Sequence, residues 1–404
     1  MNRVVITGAG CVSALGPDLA TTWAGMRDGR SGIGQLEGLP LERLRITIGA
    51  QVRGFDPATH FAEKKLAQYD RFTQFALVAA REAVKQSGIA LSGELARGCA
   101  VIVGTGIGGQ TTQDEGFQRL YGEKADRLAP MTVPRAMPSA ATSHVSMEFG
   151  LRGPSFGVTS ACASSNHAIA IAFDMVRLGR APAALAGGAE APMTLGGLKS
   201  WEALRVMSPD GCRPFCRDRR GMVLGEGAGM FLLEPLESAL GRGARPLAEL
   251  VGAGMSADAG DLVAPSVDGC AAAITAALAD AGLAPEQIGY INAHGTATPA
   301  NDPAETKAVR KAFGRHAERL AISSTKAVHG HALGAAGAIE LVAVLGVLTE
   351  DVLPPTAGFT EADPECDLDY VPNQARKVAV EAALSNSFAF GGLNCVLALK
   401  RIDS

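Results

Sequence analysis

Short apolar runs rich in β-branched residues alternate with longer amphipathic segments along the whole chain. A two-residue period and a 3.6-residue period cannot share one element, so the alternation commits the chain to helices layered on sheet. Strands are predicted at Val4–Thr7, Ala100–Gly104, Phe156–Thr159, Ala183–Gly187, Met230–Glu234, Tyr290–Ala293, Ala321–Ser323 and Val396–Lys400. Helices are predicted at Asp70–Ser87, Ala163–Leu178, Gly269–Ala281, Ala304–Phe313 and Leu333–Leu348. No Pro/Ser-rich linker or charge run divides the chain. Two α/β halves are expected, 1–250 and 251–404, joined near "LAELVGAGMSADA".

A chain of 404 residues accommodates two or three domains, or one large duplicated one. With 47% apolar and 19% charged residues it is globular rather than disordered. A net charge of −4 leaves no footprint for nucleic acid or an anionic membrane surface. The apolar run in "MNRVVITGAGCVSALG" is too short for a secretory signal. The stretch from Ala332 to Leu348 is broken by Glu340 and too short for a membrane span. The 8 cysteines follow no repeating spacing, and no second Cys/His pair answers Cys212 and Cys216. Reduced thiols in a cytoplasmic protein are expected, rather than disulfides or a metal site.

"AVIVGTGIGG" contains a literal GxGxxG at Gly104, Gly106 and Gly109. A dinucleotide site needs a helix opening on the third glycine and an acidic residue ending the next strand. Gln110–Glu115 reads as polar loop, and "LYGEKADRLAP" offers no such strand. "GAGCVSALG" has Ser13 where the third glycine belongs. Both read as tight turns with close backbone packing, and no nicotinamide cofactor is expected.

"GVTSACASSNHAIA" places Cys162 where a strand-like run meets a helical one. Unpaired N–H groups and the positive end of a helix dipole favour thiolate there, and small neighbours leave room for a substrate. A single cysteine is more often a buried hydrophobe, but this setting favours a nucleophile. His167 cannot be its base. Five helical steps turn its side chain roughly 140° away from that of Cys162. Other imidazoles lie in loops after strands: His294 in "YINAHGTATPANDPAET", and His329 and His331, with Lys326, in "ISSTKAVHGHALGAAGAIE". Lys326 would repel a cation, so a thiol with two imidazoles is favoured over metal binding. In "ALSNSFAFGGLNCVLALK", Gly391 and Gly392 follow a Ser/Asn/Phe turn, either as a plain bend or as a source of oxyanion N–H groups.

These stretches, in this order and nearly end to end, resemble the condensing enzymes, specifically the elongating β-ketoacyl-[acyl-carrier-protein] synthases. "MPSAA", "KSWEALR", "CRPF" and "TKAVHGHALGAAGA" look most like the nodulation-protein-E-like group, which makes unusual, often polyunsaturated acyl chains. The resemblance implies a thiolase-like α/β fold, with duplicated halves in a five-layered αβαβα sandwich, the first half carrying the nucleophile and the second the catalytic histidines. It implies Cys162 as acyl acceptor, His294 and His331 as paired imidazoles, and Lys326 and Glu340 as their electrostatic support. The backbone N–H groups of Cys162 and Phe390 would form the oxyanion hole. Thr296 and Thr298 would bind the phosphopantetheine arm, Ile107 and Phe390 would gate the acyl pocket, and Lys64 and Lys65 would dock acyl carrier protein. The implied reaction is decarboxylative Claisen condensation of a malonyl thioester with an acyl group on Cys162. No metal or organic cofactor is implied beyond the carrier's phosphopantetheine. The family is normally homodimeric, with heterodimers possible.

Three features depart from the family pattern. Ala389 stands where a hinge glycine is usual, predicting altered gate motion, since alanine resists angles glycine accepts. His329 replaces a usual threonine, and Ala67 and Gln68 thin the basic rim. The rivals are a thiolase acting on CoA esters, a non-catalytic chain-length partner subunit and a cysteine hydrolase. The thiolase would need a second cysteine, for which only Cys395 offers itself, within an apolar strand. The partner subunit would lack the nucleophile, and the hydrolase lacks an orienting Asn or Asp.

Overall fold

The structure is a computed structural model that describes residues 1–402. Its main strands are β1 (Val4–Ser13), β2 (Ala100–Gly104), β3 (Ser155–Val158), β4 (Ala184–Glu190), β5 (Gly227–Pro235), β6 (Ala248–Ala257), β7 (Ile288–Asn292), β8 (Ala321–Ser323), β9 (Ala382–Ala389) and β10 (Leu393–Lys400). The helices that bear on the site are α1 (Arg71–Ser87), α2 (Gln110–Phe117), α3 (Ala140–Phe149), α4 (Ser164–Arg177), α5 (Leu195–Ala203), α6 (Val267–Ala281), α7 (Asn301–Phe313) and α8 (Ala336–Glu350).

The strands form one ten-stranded sheet in the order β8-β7-β9-β10-β6-β1-β5-β4-β2-β3. Each half repeats one scheme. In the first, β2 lies parallel to β3 and β4, while β4, β5 and β1 run antiparallel in turn. In the second, β7 lies parallel to β8 and β9, while β9, β10 and β6 run antiparallel. The halves join through a short antiparallel pairing, Val4–Ile6 against Ala248–Leu250. The duplication invisible in the sequence is thus plain in the topology.

Helices fill three layers around these half-sheets. α1 and α3 cover the outer face of the first half, α6 and α7 that of the second, and α4 and α8 lie between them, touching strands of both. This is the αβαβα sandwich of the thiolase-like fold. Strand residues alternate accordingly. Ala100, Ile102, Ala184, Ala186, Cys395 and Leu397 face the central layer, while Val101, Val103, Ala183, Leu185, Val396 and Ala398 face outward helices. Both faces are buried, which is why the strands read as nearly continuous apolar runs. The apolar segment Leu333–Glu350 is 89% buried, and α8 within it is a core helix.

Four expectations need correction. β1 continues through "GAGCVS" instead of turning, because α1 crosses there: a Cβ at Gly8 or Gly10 would sit 2.0 Å from the Ala83 or Ala79 carbonyl. Gln110–Phe117 is the helix α2, opening directly on Gly109, not a loop. The glycines of "GTGIGG" nonetheless wrap a buried carboxylate of the protein itself, as shown below. "ALSNSFA" is strand β9, not a turn, because its polar residues are buried between β7 and β10. A tenth strand, β6, runs through the segment read only as a junction, and residue 250 lies within it.

Candidate active site

Cys162 sits between β3 and α4, two residues ahead of the helix. Ala161 before it has φ +49°, in the left-handed region, giving an abrupt strand-to-helix elbow. The Ser164 hydroxyl locks the elbow, donating to the Ala161 carbonyl at 2.6 Å and accepting from the Ser160 N–H at 2.9 Å. Gly104 is required behind it, since a Cβ there would lie 2.4 Å from the Ser164 backbone. His167 turns away, its Nδ1 within 2.9 Å of the Ser160 hydroxyl and 3.1 Å of the Ala163 carbonyl.

The second half contributes the imidazoles. His294 follows β7 and His331 follows β8, and their rings meet edge to face with centroids 5.4 Å apart. Both lie in the wall of one cavity of about 220 Å³ together with Cys162, Thr296, Thr298 and Phe390. Burial first, then the Lys326 charge, push both histidines well below the ordinary 6.5, so both are neutral. A neutral imidazole has one N–H donor and one acceptor nitrogen. The Nδ1 atoms of both rings are buried without a hydrogen-bond partner among the described residues.

Lys326 is fully buried outside the cavity wall. Its ammonium donates to the His294 carbonyl at 2.6 Å and pairs with the buried Glu340 carboxylate. Burial raises Glu340 to about 7, with Lys326 opposing the rise. The expectation of a ready thiolate is not met in this resting site. Burial pushes Cys162 up to about 12, although the Lys326 charge and a hydrogen bond from the Phe390 N–H both favour the thiolate. Desolvation acts on the whole charge, whereas a helix end supplies only a fraction of one.

Thr296 and Thr298 are hydrogen-bonded to each other at 2.9 Å on the cavity wall. Ile107 is not on that wall; its N–H bonds the buried Glu190, which also takes N–H groups from Gly106 at 2.5 Å and Gly334 at 3.0 Å. The GxGxxG loop therefore closes around Glu190. Ala389 has φ −102° and ψ 157°, ordinary extended backbone, so its Cβ brings no strain. The left-handed angles fall on Gly391 (+80°) and Gly392 (+68°). Lys64 and Lys65 are exposed on the four-residue helix Glu63–Leu66, away from the cavity wall. Cys395 is fully buried in the central layer, with its thiol pushed up by burial, and does not reach the cavity.

Sequence reasoning missed several residues. Glu305, on α7, accepts the N–H groups of His294 and Gly295 at 2.8 Å each, and the amides of Asn301 and Asn386 at 3.3 and 3.2 Å. The acid of "NDPAET", on the helix after the histidine loop, was the available signal. Trp201 lines the cavity, and Arg205 and Arg220, both exposed, line its mouth. Nothing in local sequence indicated that these three converge on the same opening.

A buried thiol at a helix start, facing two neutral imidazoles across duplicated α/β halves, defines a condensing enzyme of the thiolase-like class. Comparison with known proteins makes the family definite. The chain belongs to the β-ketoacyl synthases: residues 1–239 match the family's N-terminal domain and residues 247–360 its C-terminal domain. It is 51% identical to a Nodulation protein E of a Rhizobium species over 99% of both chains. It is 42% identical to the 3-oxoacyl-[acyl-carrier-protein] synthase 2 of a Synechocystis species, over 99% of this chain and 98% of that one. Among solved structures, the ishigamide ketosynthase/chain length factor covers both chains fully with a TM-score of 0.95 at 35% identity. A β-ketoacyl synthase from Burkholderia phymatum does so with a TM-score of 0.92 at 33% identity.

Proposed function

We propose that this chain is an elongating β-ketoacyl-[acyl-carrier-protein] synthase that adds two carbons to an acyl chain of the fatty-acid or polyene type. The observation that carries the reading is the meeting, in one cavity, of Cys162 with the neutral pair His294 and His331. A carrier-bound acyl thioester enters. The Cys162 sulfur attacks its carbonyl, the carrier C–S bond breaks, and the thiol proton leaves with the carrier thiol. The N–H groups of Cys162 and Phe390 hold the oxyanion. A malonyl thioester then binds with its carbonyl oxygen toward the two imidazoles. Its C–CO₂⁻ bond breaks, CO₂ departs, and the imidazole N–H groups stabilise the enolate oxygen. The enolate carbon attacks the acyl carbonyl, and the Cys162 sulfur leaves and regains a proton. The product is a 3-ketoacyl carrier thioester. The electron pair for the new C–C bond comes from decarboxylation, so the scheme uses no metal or redox cofactor.

Lys326 and Glu340 support the site electrostatically, and Thr296 and Thr298 bind the phosphopantetheine arm. Phe390 gates the acyl pocket, and Ile107 belongs to a chain-binding wall outside the present cavity. Arg205 and Arg220 at the mouth join Lys64 and Lys65 in docking an acidic carrier. A second copy pairs along β3, an edge strand with Phe156 exposed, beside α3 with Met147 exposed. A related chain-length subunit is the second candidate for that face, since two structural neighbours are ketosynthases with chain length factors. The domain boundary falls at the start of β6, and the 8 unpaired cysteines support a cytoplasmic setting. The decisive experiment is mass spectrometry of acyl-Cys162 after incubation with a panel of acyl-carrier proteins, followed by malonyl-carrier protein. A β-keto product two carbons longer is expected; an unmodified Cys162 refutes the proposal.

A further inference from the structure

The Phe390 turn combines one packed end with one glycine tethered by a single backbone hydrogen bond, from the Gly391 N–H to the Leu262 carbonyl at 2.8 Å. A Cβ at Gly392 would lie 2.3 Å from the Asp258 side chain, so this residue is packed in place. A Cβ at Gly391 would meet only the Leu393 side chain, at 3.9 Å, so space around it is open. With φ +80°, Gly391 holds an angle that only glycine crosses freely. Phe390 can therefore swing about Gly391 once that one hydrogen bond to Leu262 breaks. In the observed position its ring lies against Trp201, with centroids 6.2 Å apart and planes 29° from parallel.

Trp201 cannot follow such a swing. Its helix, α5, is pinned on three sides. The Gly196 N–H bonds Asp114 at 3.1 Å, the Gly197 N–H bonds the Thr194 cap at 3.1 Å, and Glu202 holds the Arg45 and Ile46 N–H groups at 2.5 and 2.9 Å. The Trp201 ring also packs on the cluster formed by Leu36, Leu44, Leu198 and Met207. The fixed indole and the swinging phenyl both line the cavity that holds Cys162.

We propose that Trp201 is a positioning residue: the stop against which Phe390 closes, setting how often the path to Cys162 opens for an acyl chain. The inference rests on the proposed acyl-transfer role of Cys162 and assigns a residue that this role does not require. While stacked, Phe390 keeps the cavity narrow. Acyl entry breaks the stack. A stacked aromatic pair biases such a two-position equilibrium by about 2- to 12-fold. Trp201 therefore restrains loading by favouring the closed position of Phe390.

The test compares the wild type with Trp201→Ala and Trp201→Phe in the full chain, using acyl-pantetheine thioesters and following Cys162 acylation by mass spectrometry. Trp201→Ala is expected to raise the single-turnover acylation rate by about 2- to 12-fold, and Trp201→Phe to return it near wild type. A second measurement needs no destabilising variant. The chain has 2 tryptophans, so subtracting the Trp201→Phe emission spectrum isolates the Trp201 signal. That signal should change when Cys162 is acylated, as Phe390 leaves the indole. An unchanged or slower acylation rate in folded Trp201→Ala, or Trp201 emission indifferent to acylation, overturns the inference while leaving the condensing reaction intact. A wild type whose Cys162 takes no acyl group overturns both.

Discussion

Replacing Lys326 by methionine removes a buried ammonium and leaves the Glu340 carboxyl without its partner. Two separable losses follow. The first is independent of pH: the hydrogen bond from the ammonium to the His294 carbonyl disappears. A charge-assisted bond of this kind contributes about 1.5–3 kcal/mol, partly offset because the ammonium no longer has to be desolvated. The second depends on pH. Glu340 already stands at about 7 in the native protein against an ordinary 4.5, and Lys326 is what opposes a further rise. Its folded value exceeds its unfolded one, so folding takes up a proton. The penalty is absent below pH 4.5 and grows with pH until the folded value is reached. Wild type and variant therefore lose stability in parallel up to about pH 7. Above it the wild-type penalty levels off, while the variant continues down by about 1.4 kcal/mol per pH unit. Urea unfolding at pH 6, 7, 8 and 9 measures this, and the double variant Lys326→Met/Glu340→Gln should remove the divergence. Curves that stay parallel across the range, or a double variant that still diverges, would refute the reasoning. Both variants should acylate Cys162 slowly, because the strongest influence favouring its thiolate has gone.

Iodoacetamide should modify Cys162 before the other seven thiols, since it is the one cysteine in the cavity wall, and faster with rising pH because burial holds it near 12; mass mapping of the alkylated chain reads this. Cys162→Gln should abolish condensation while malonyl decarboxylation continues at the histidines, measured as CO₂ release; loss of both would contradict the division of labour. His294, His331 and His329 are buried with lowered values, His329 at about 3, so unfolding takes up protons below 6.5. Each should cost about 1.4 kcal/mol of stability per pH unit as pH falls below 6.5, and His329→Thr should make acid unfolding shallower by one such increment. Phe156→Asp places a charge on the exposed edge strand β3 and should shift sedimentation of the proposed dimer to monomer; a dimer that persists would move the interface elsewhere.

Residues whose meaning is local were readable in advance. Cys162 at a strand-to-helix junction, His167 out of helical phase with it, and the loop positions of His294 and His331 all follow from periodicity. The outlines of β2 and β8 coincide with the residues predicted, because short apolar runs bounded by turn residues leave little choice. The misread segments share one cause. Gly8 and Gly10 looked like turn residues but serve a close crossing of β1 and α1, and Ser385 to Ser387 looked like a turn but lie between two strands. In each case a neighbour distant in sequence overrode the local preference.

The sequence by itself determined the layered α/β architecture and the chemical types available to the site, since both are carried by residue identity and spacing. Only the tertiary structure decided which of those groups share a cavity and in what state. It placed Ile107 outside the cavity wall and Trp201 within it. It set Glu305 beneath the His294 loop and buried both imidazoles, with the Lys326 charge nearby, so that both are neutral. It also raised the Cys162 thiol instead of lowering it. The reason is that desolvation and Coulomb interactions depend on through-space distance and burial, which a linear sequence does not contain.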